Sequence, residues 1–191
     1  VAGANIKHLL VGGMIAIVIG GGIAATTPHI KNRFSAFLSP NAECREDYCW
    51  QTEQAKIAIG SGGFFGKGLT QGIQKSYWLP QATDDFIFAA SAEELGFVRT
   101  LLVVLAYVLV SLRGYQIAYY APDRFSQLLA TGITTWISAQ VFINLAVNTS
   151  LMPVTGITLP FVSYGGSSMV STLIGIGILL NISKQNQNHA Y

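Results

Sequence analysis

The chemistry in this sequence is concentrated in carboxylates set beside apolar runs. Asp84 and Asp85 stand directly before a long apolar stretch that opens at Phe86. A carboxylate at such a doorway can do one of two things. It can cap a helix, accepting backbone hydrogen bonds at the positive end of the helix dipole. It can also act as a general base, its proton affinity raised by partial loss of water. Glu93 and Glu94 follow about 12 Å further along the same helix at 1.5 Å per residue, within the membrane or near its face. Charge there is expensive and usually faces a bundle interior, a watery cavity or an opposite charge. Arg99 and the lysines of the preceding segment are the candidate partners.

Two further stretches invite a chemical reading. The cluster AIGSGGFFGKG, Ala58 to Gly68, has the look of a phosphate loop but fails the pattern. A Walker motif needs glycine at Ser61 and a hydroxyl residue at Gly68, and a dinucleotide motif starting at Gly60 needs glycine at Phe65. A glycine-rich turn or a re-entrant hairpin is the better reading. PVTGITLPFVSYGGSS, Pro153 to Ser168, puts prolines, glycines and hydroxyls where a helix ought to begin. Irregular backbone at membrane depth must be buried in protein or line a cavity, so the choice is between a tight connection and a cavity wall. Asn144 and Asn148, one turn apart, read as interhelical hydrogen-bonding residues. Cys44 and Cys49 lie in the most polar segment and fit either a local disulfide or two thiols; their spacing does not suit zinc.

The elements that must position these residues are membrane helices. Of 191 residues 51% are hydrophobic and 10% charged, too apolar for a soluble domain. The net charge of +2 is spread along the chain, so no basic patch argues for nucleic acid. Crossing about 30 Å of hydrocarbon takes roughly 20 apolar residues. Candidate spans run from Leu9 to about Ala25, Phe86 to Leu112, Phe125 to about Val147, and Met169 to Ile182 if extended back through VSYGGSS. This divides the chain into a first span (1–28), a large extracytoplasmic loop (29–85), three spans with short connections (86–184) and a cytoplasmic tail (185–191), its polar residues reading as disordered. Trp50 and Trp78 suit an interface. Lys7, Arg113, Arg124 and Lys184 fall on one side, which puts both ends in the cytoplasm, against the six basic residues of the long loop. Val1 and the missing cleavage site read as an internal start.

Four stretches in order carry a resemblance. QAKIAIGSGGFFGKGL (Gln54–Leu69), QKSYWLPQATDDFIFAASAEELGF (Gln74–Phe97), INLAVNTSLMPVTGITLPFVSYGGSS (Ile143–Ser168) and LLNIS (Leu179–Ser183) are similar to the FtsW/RodA (SEDS) family of peptidoglycan glycosyltransferases, closer to FtsW. The resemblance implies an all-α polytopic fold of which this chain holds the last part, with about four transmembrane helices. It implies polymerisation of lipid II, the undecaprenyl-pyrophosphate-linked disaccharide-pentapeptide, at the inner (cytoplasmic) membrane. A class B penicillin-binding protein transpeptidase and other divisome or elongasome proteins are the implied partners. No cofactor is firmly implied, a divalent cation being the one candidate. The family's essential loop aspartate falls on Asp85, as general base. Substrate contacts fall on Lys56, Lys67, Gln74, Lys75, Glu93, Glu94, Ser163, Tyr164 and Ser167, the three lysines neutralising the donor pyrophosphate. Where the family usually reads LPEAHTDF this chain has LPQATDDF, with Gln81, Thr83 and Asp84 departing. A lipid flippase and a non-catalytic scaffold are the competing classes.

Overall fold

The computed structural model describes residues 3, 6–28, 30, 33, 37, 48–79 and 82–188. Among these the structure is entirely helical: α1 Ile6–Thr26, α2 Tyr48–Gly62, α3 Gln74–Tyr77, α4 Ile87–Tyr119, α5 Arg124–Asn148 and α6 Gly166–Asn188. Four helices are long and apolar enough to cross a membrane: α1, α4, α5 and α6. Cys44 and Gln81 lie outside the described residues, as do His29 and the last three residues of the tail. The chain falls into two compact units divided between Trp50 and Gln51, inside the 29–85 segment.

The first unit contains α1. Its 21 residues span about 30 Å at 1.5 Å each, the thickness of the hydrocarbon core. Apolar side chains such as Leu10, Met14, Ile17 and Val18 are exposed around it. At its end the Thr26 hydroxyl donates to the Gly22 and Ile23 carbonyls, and Pro28 follows.

In the second unit α4 and α5 form the main antiparallel pair. They are joined by a four-residue turn, Tyr120–Asp123, in which Pro122 discourages a continued helix. Asp123 starts α5: its carboxylate accepts from the Ser126 N–H at 2.8 Å and the Ser126 hydroxyl at 2.7 Å. Those bonds, the backbone one first, hold its carboxyl below the usual carboxylate range. Along the seam small and hydroxyl residues alternate. Gly114 lies against the Thr134 side chain, Ser138 donates to Ser111 at 2.8 Å, and the Tyr115 and Thr135 hydroxyls stand 3.1 Å apart. This is how helices associate where lipid removes the hydrophobic drive. α6 closes the bundle, with Leu179 and Ile182 buried against Ala118 and Ala130.

The helices extend past the expected spans. α4 reaches Tyr119, because the expected stop at Arg113-Gly114 is a contact and not an end: Gly114 admits α5. α6 continues through Gln185 to Asn188, so the first part of the expected disordered tail is helical. α4 is also not one rod. Gly96 has φ 76° and ψ 174°, which breaks it into an upper piece, Ile87 to Leu95, and a lower piece, Phe97 to Tyr119. The lower piece alone is about 35 Å long, enough to span.

The Gly114 contact gives a direct test. Gly114→Ala in the full-length protein is expected to lose about 1–3 kcal/mol to overpacking against Thr134. Adding Thr134→Ala should restore most of it, as read from the unfolding temperatures of the three variants in detergent.

Candidate active site

The site is built where α2, the glycine turn, the upper piece of α4, the end of α5 and the 149–165 segment meet. α2 brings a face of Gln54, Ala55, Ala58 and Gly62, all buried, at helical spacing. A Cβ on Gly62 would collide with the Ala92 carbonyl, so the two helices touch backbone to backbone. Ala55, Ala58, Leu79, Ala82, Phe86, Ala89, Ala90, Val147 and Val154 form the apolar core beneath.

The first part of the glycine cluster, Ala58 to Gly62, ends α2; the rest, Gly63 to Gly68, is a turn that docks into the break in α4. In an unbroken helix Phe97 N–H would meet Glu93 C=O, and Val98 N–H would meet Glu94 C=O. Here the turn takes all four partners. Lys67 and Gly68 N–H donate to the Glu93 and Glu94 carbonyls at 3.0 and 3.1 Å, while Phe97 and Val98 N–H donate to the carbonyls of Gly63 and Phe64 at 2.8 and 3.3 Å. Gly66 and Gly96, both at positive φ, lie so close that a Cβ on either would strike the backbone of the other segment.

The glutamates fasten the rest of this segment. Glu93 is fully buried and accepts from Lys67 Nζ at 2.7 Å, Ile73 N–H at 3.2 Å, Gln74 N–H at 3.0 Å and the Ser61 hydroxyl at 3.4 Å. Glu94 pairs with Lys75 at 2.6 Å, with the lysine side chain 36% exposed. Of the partners considered from sequence, the loop lysines are therefore the ones used. Arg99 is exposed. Lys67 and Lys75 carry charges already shared with carboxylates. Lys56 stands on the exposed side of α2, away from the face that meets α4. Gln74 keeps its side-chain oxygen buried without a hydrogen-bond partner, an acceptor beside the two ion pairs.

Asp85 is held by its backbone. Three consecutive carbonyls are tied: Thr83 O accepts from Tyr164 N–H at 3.0 Å, Asp84 O from the Ser163 hydroxyl, and Asp85 O from Asn144 Nδ2 at 2.9 Å and Asn148 Nδ2 at 3.0 Å. The cap expected of Asp84 or Asp85 is not the one found. Phe86 occupies the N-cap position and makes no side-chain bond. Its role is taken from α5: Asn148 Oδ1 accepts the Ala89 N–H at 3.0 Å, a helix start capped by another helix. Because that N–H can only donate, the orientation of the Asn148 amide is fixed, and its NH2 must face the Asp85 and Asn144 oxygens. Asn148 makes the interhelical bond expected of it, to Ala89, while Asn144 bonds the non-helical Asp85 and Ile157 carbonyls. Asp85 Oδ2 lies 3.5 Å from where a Cβ on Gly156 would sit, and Gly156 has φ +75°. A Cβ there would only touch the carboxylate; the positive φ is what favours glycine.

The remaining expected residues divide by role. Ser163 is buried and commits its proton to Asp84 O while accepting the Leu159 N–H at 2.7 Å, so it positions the loop. Tyr164 presents an 84% exposed side chain. Ser167 lines a groove between α5 and α6 together with Trp136, Gln140, Gly156, Thr158, Ser168 and Ser171. Except for Ser167, these groove residues were not marked as candidates, although Trp136, Gln140, Asn144 and Asn148 recur every fourth residue on one helix face. Among the described residues no three His, Cys, Asp or Glu side chains converge, so they offer no ready set for a divalent cation.

The fold and site together define a multi-pass helical membrane protein with an aspartate whose main chain is clamped at the head of a broken helix. The chain belongs to the FtsW/RodA/SpoVE family of cell cycle proteins, whose family model matches residues 1–188. It is 43% identical over 187 residues to stage V sporulation protein E of Bacillus subtilis (strain 168), covering 98% of this chain and 51% of that protein. It is 40% identical over 182 residues to a probable peptidoglycan glycosyltransferase FtsW of Geobacter sulfurreducens, covering 95% of this chain and 48% of that protein. The chain spans about half the length of the curated relatives it matches. A solved structure concerned with the coordination of polymerization and crosslinking by a peptidoglycan synthase complex matches with TM-score 0.69 and 28% identity, over 94% of this chain and 49% of that one.

The two glutamates should differ in weight. Glu93→Ala strands Lys67 and two backbone N–H groups and is expected to cost about 3–5 kcal/mol. Glu94→Ala, at a pair whose lysine is partly exposed, should cost less, about 1–3 kcal/mol. Unfolding of full-length variants in detergent checks the order.

Proposed function

We propose that the full-length protein polymerises lipid II into glycan strands at the outer face of the cytoplasmic membrane, and that Asp85 is its general base. The observation that carries this reading is the clamp: three tied main-chain carbonyls and two buried asparagines fix the backbone of Asp85, whose carboxylate stands beside Gly156. That is far more fixing than a solvated surface aspartate needs. Family membership and relatives named as probable peptidoglycan glycosyltransferases support the same reaction class.

In this mechanism the acceptor sugar's hydroxyl oxygen bonds to the donor's anomeric carbon as its proton passes to Asp85. The bond from that carbon to the pyrophosphate oxygen breaks, its electron pair leaves on undecaprenyl pyrophosphate, and the configuration inverts. Leaving-group charge is met by the lysines of the 56–75 region. Since Lys67 and Lys75 are paired with Glu93 and Glu94, they act by sharing their protons between carboxylate and phosphate, with Gln74 beside them. Asp84, one residue earlier, accepts from the Thr83 hydroxyl at 3.3 Å and supports the loop. Both chain ends of this part lie in the cytoplasm, and the 29–85 segment lies outside. A class B penicillin-binding protein crosslinks the strands made. The similarity to a structure of a polymerising and crosslinking synthase complex favours that partner.

Asp85→Asn in the full-length protein, assayed with its transpeptidase partner and lipid II, is expected to cut glycan synthesis by at least about 100-fold while leaving lipid II binding in place. Near wild-type glycan product would remove Asp85 from the role. Lipid translocation into vesicles with no glycan product from the unsubstituted protein would replace the polymerase reading with a transporter.

A further inference from the structure

The turn that fills the break in α4 is built inside out for a loop in water. Residues 63–73 carry a single charge, Lys67, and its ammonium lies 2.7 Å from the fully buried Glu93. The large apolar side chains are the ones left outside: Phe64, Phe65, Leu69 and Ile73 are each more than half exposed, Phe65 at 79%. A loop surrounded by water turns its charges out and its aromatics in. Here the reverse holds, and exposed apolar surface gathered in one place marks a contact with something other than water.

The depth of the turn selects what covers it. Its backbone is bonded to Glu93, Glu94, Phe97 and Val98, so it sits at the head of the lower piece of α4. One face of that piece carries Phe97, Leu101, Val108, Leu112, Tyr115 and Tyr119 at helical spacing, and all six are exposed. This apolar stripe begins and ends on aromatic rings about 33 Å apart by helical rise, close to the thickness of the hydrocarbon core. Aromatics at both ends of such a stripe are the mark of the two membrane interfaces. Tyr120 and Phe125, also exposed, join the lower end. Phe64 joins the upper end, its ring edge-on to Phe97 with centroids 6.2 Å apart. Arg99, Thr70 and Gln71 are the exposed polar residues at that level, and they suit lipid headgroups.

We propose that the glycine turn is a membrane anchor: Phe64, Phe65 and Leu69 are seated among the acyl chains of the leaflet on the Asp85 side, so that this part of the 29–85 segment is covered by lipid and not by water. The occupant is bilayer hydrocarbon because the turn's apolar surface continues, through the Phe64 and Phe97 rings, into the stripe that runs down α4. The same seating accounts for the Lys67 ion pair. An ammonium on a lipid-covered turn needs its counter-charge within the protein, and Glu93 supplies it from a fully buried position. It also keeps water from competing for the four main-chain bonds that cross the break at Gly96. The anchor is independent of the part that Asp85 plays.

The test uses full-length protein in nanodiscs of phosphatidylcholine and phosphatidylglycerol, with Cys44→Ser and Cys49→Ser and one nitroxide label on Phe65→Cys or, separately, on Leu69→Cys. Labels on Val108→Cys, in the middle of the α4 stripe, and on Glu53→Cys, exposed on α2, give the lipid and water references. Collision of each label with oxygen, which gathers in hydrocarbon, is compared with its collision with a water-soluble nickel chelate. Both turn labels are expected to give an oxygen-to-nickel ratio at least about tenfold above that of the Glu53 label, since a polar complex is excluded from hydrocarbon. Should Phe65→Cys fail to fold, the Leu69 label decides. A ratio like that of Glu53 would put the turn in water and overturn the anchor. Low collision with both reagents would put protein over the turn, either the remainder of the chain or a partner helix, and would overturn it equally. Either result leaves the polymerase standing, because glycan synthesis and the Asp85→Asn variant are read separately.

Discussion

A peptide group at the membrane must find a hydrogen-bond partner in the protein, and at Gly96 four of them lose their helical partners at once. Leaving them unpaired would cost several kcal/mol, comparable to the net stability of a domain. The glycine turn supplies two N–H groups and two carbonyls that replace them, at 2.8–3.3 Å. The insertion requires backbone to lie against backbone, which is why Gly66 and Gly96 face each other with no room for a Cβ. From this one substitution of partners the rest follows. The turn carries Lys67 to the Glu93 carboxylate, Glu93 anchors the start of α3, and α2 is drawn down until Gly62 rests on Ala92.

The same rule of full satisfaction governs the other end of the upper piece of α4. Its first turn lacks a capping side chain of its own, and Asn148 supplies the missing acceptor from α5. One amide thus caps α4 and helps hold Asp85. This couples the position of the Asp85 main chain to the start of α4, since one amide bonds both. Gly156 supplies the positive φ that turns the connection next to the carboxylate, and Tyr107 steadies the same connection by donating to the Pro160 carbonyl.

Much of this was legible in composition and period. Four apolar stretches became four helices long enough to span, one of the two asparagines one turn apart became an interhelical bond and the other a bond to the connections, and paired glutamates near the membrane became ion pairs with loop lysines. What escaped was set by distant contacts. A lone glycine after two glutamates reads as a weak spot in a helix, and nothing nearby in sequence reveals that a turn some 30 residues earlier fills the gap. Asp84 and Asp85 look like caps because local rules favour carboxylates there, yet the tertiary bonds from Asn144, Asn148 and Ser163 take their carbonyls and leave capping to α5. The four-residue recurrence of Trp136, Gln140, Asn144 and Asn148 did signal a polar stripe, but its division into a clamp and a groove needed the 149–165 segment in place.

That division has a consequence for how charge is arranged around the clamp. On the α4 side Lys67 and Lys75 are each balanced by a glutamate, so that segment offers protons without a large net field. On the α5 side the stripe is uncharged, and its amides point their donors at backbone oxygens. The position of Asp85 is meanwhile fixed through main-chain carbonyls, so orienting the residue draws on the peptide group and not on the acid–base chemistry of the side chain. The donors that fix the Asp84–Asp85 peptide groups are two uncharged amides and a serine hydroxyl, so the clamp sets where the main chain stands and leaves the carboxylate to the groups that meet the side chain itself.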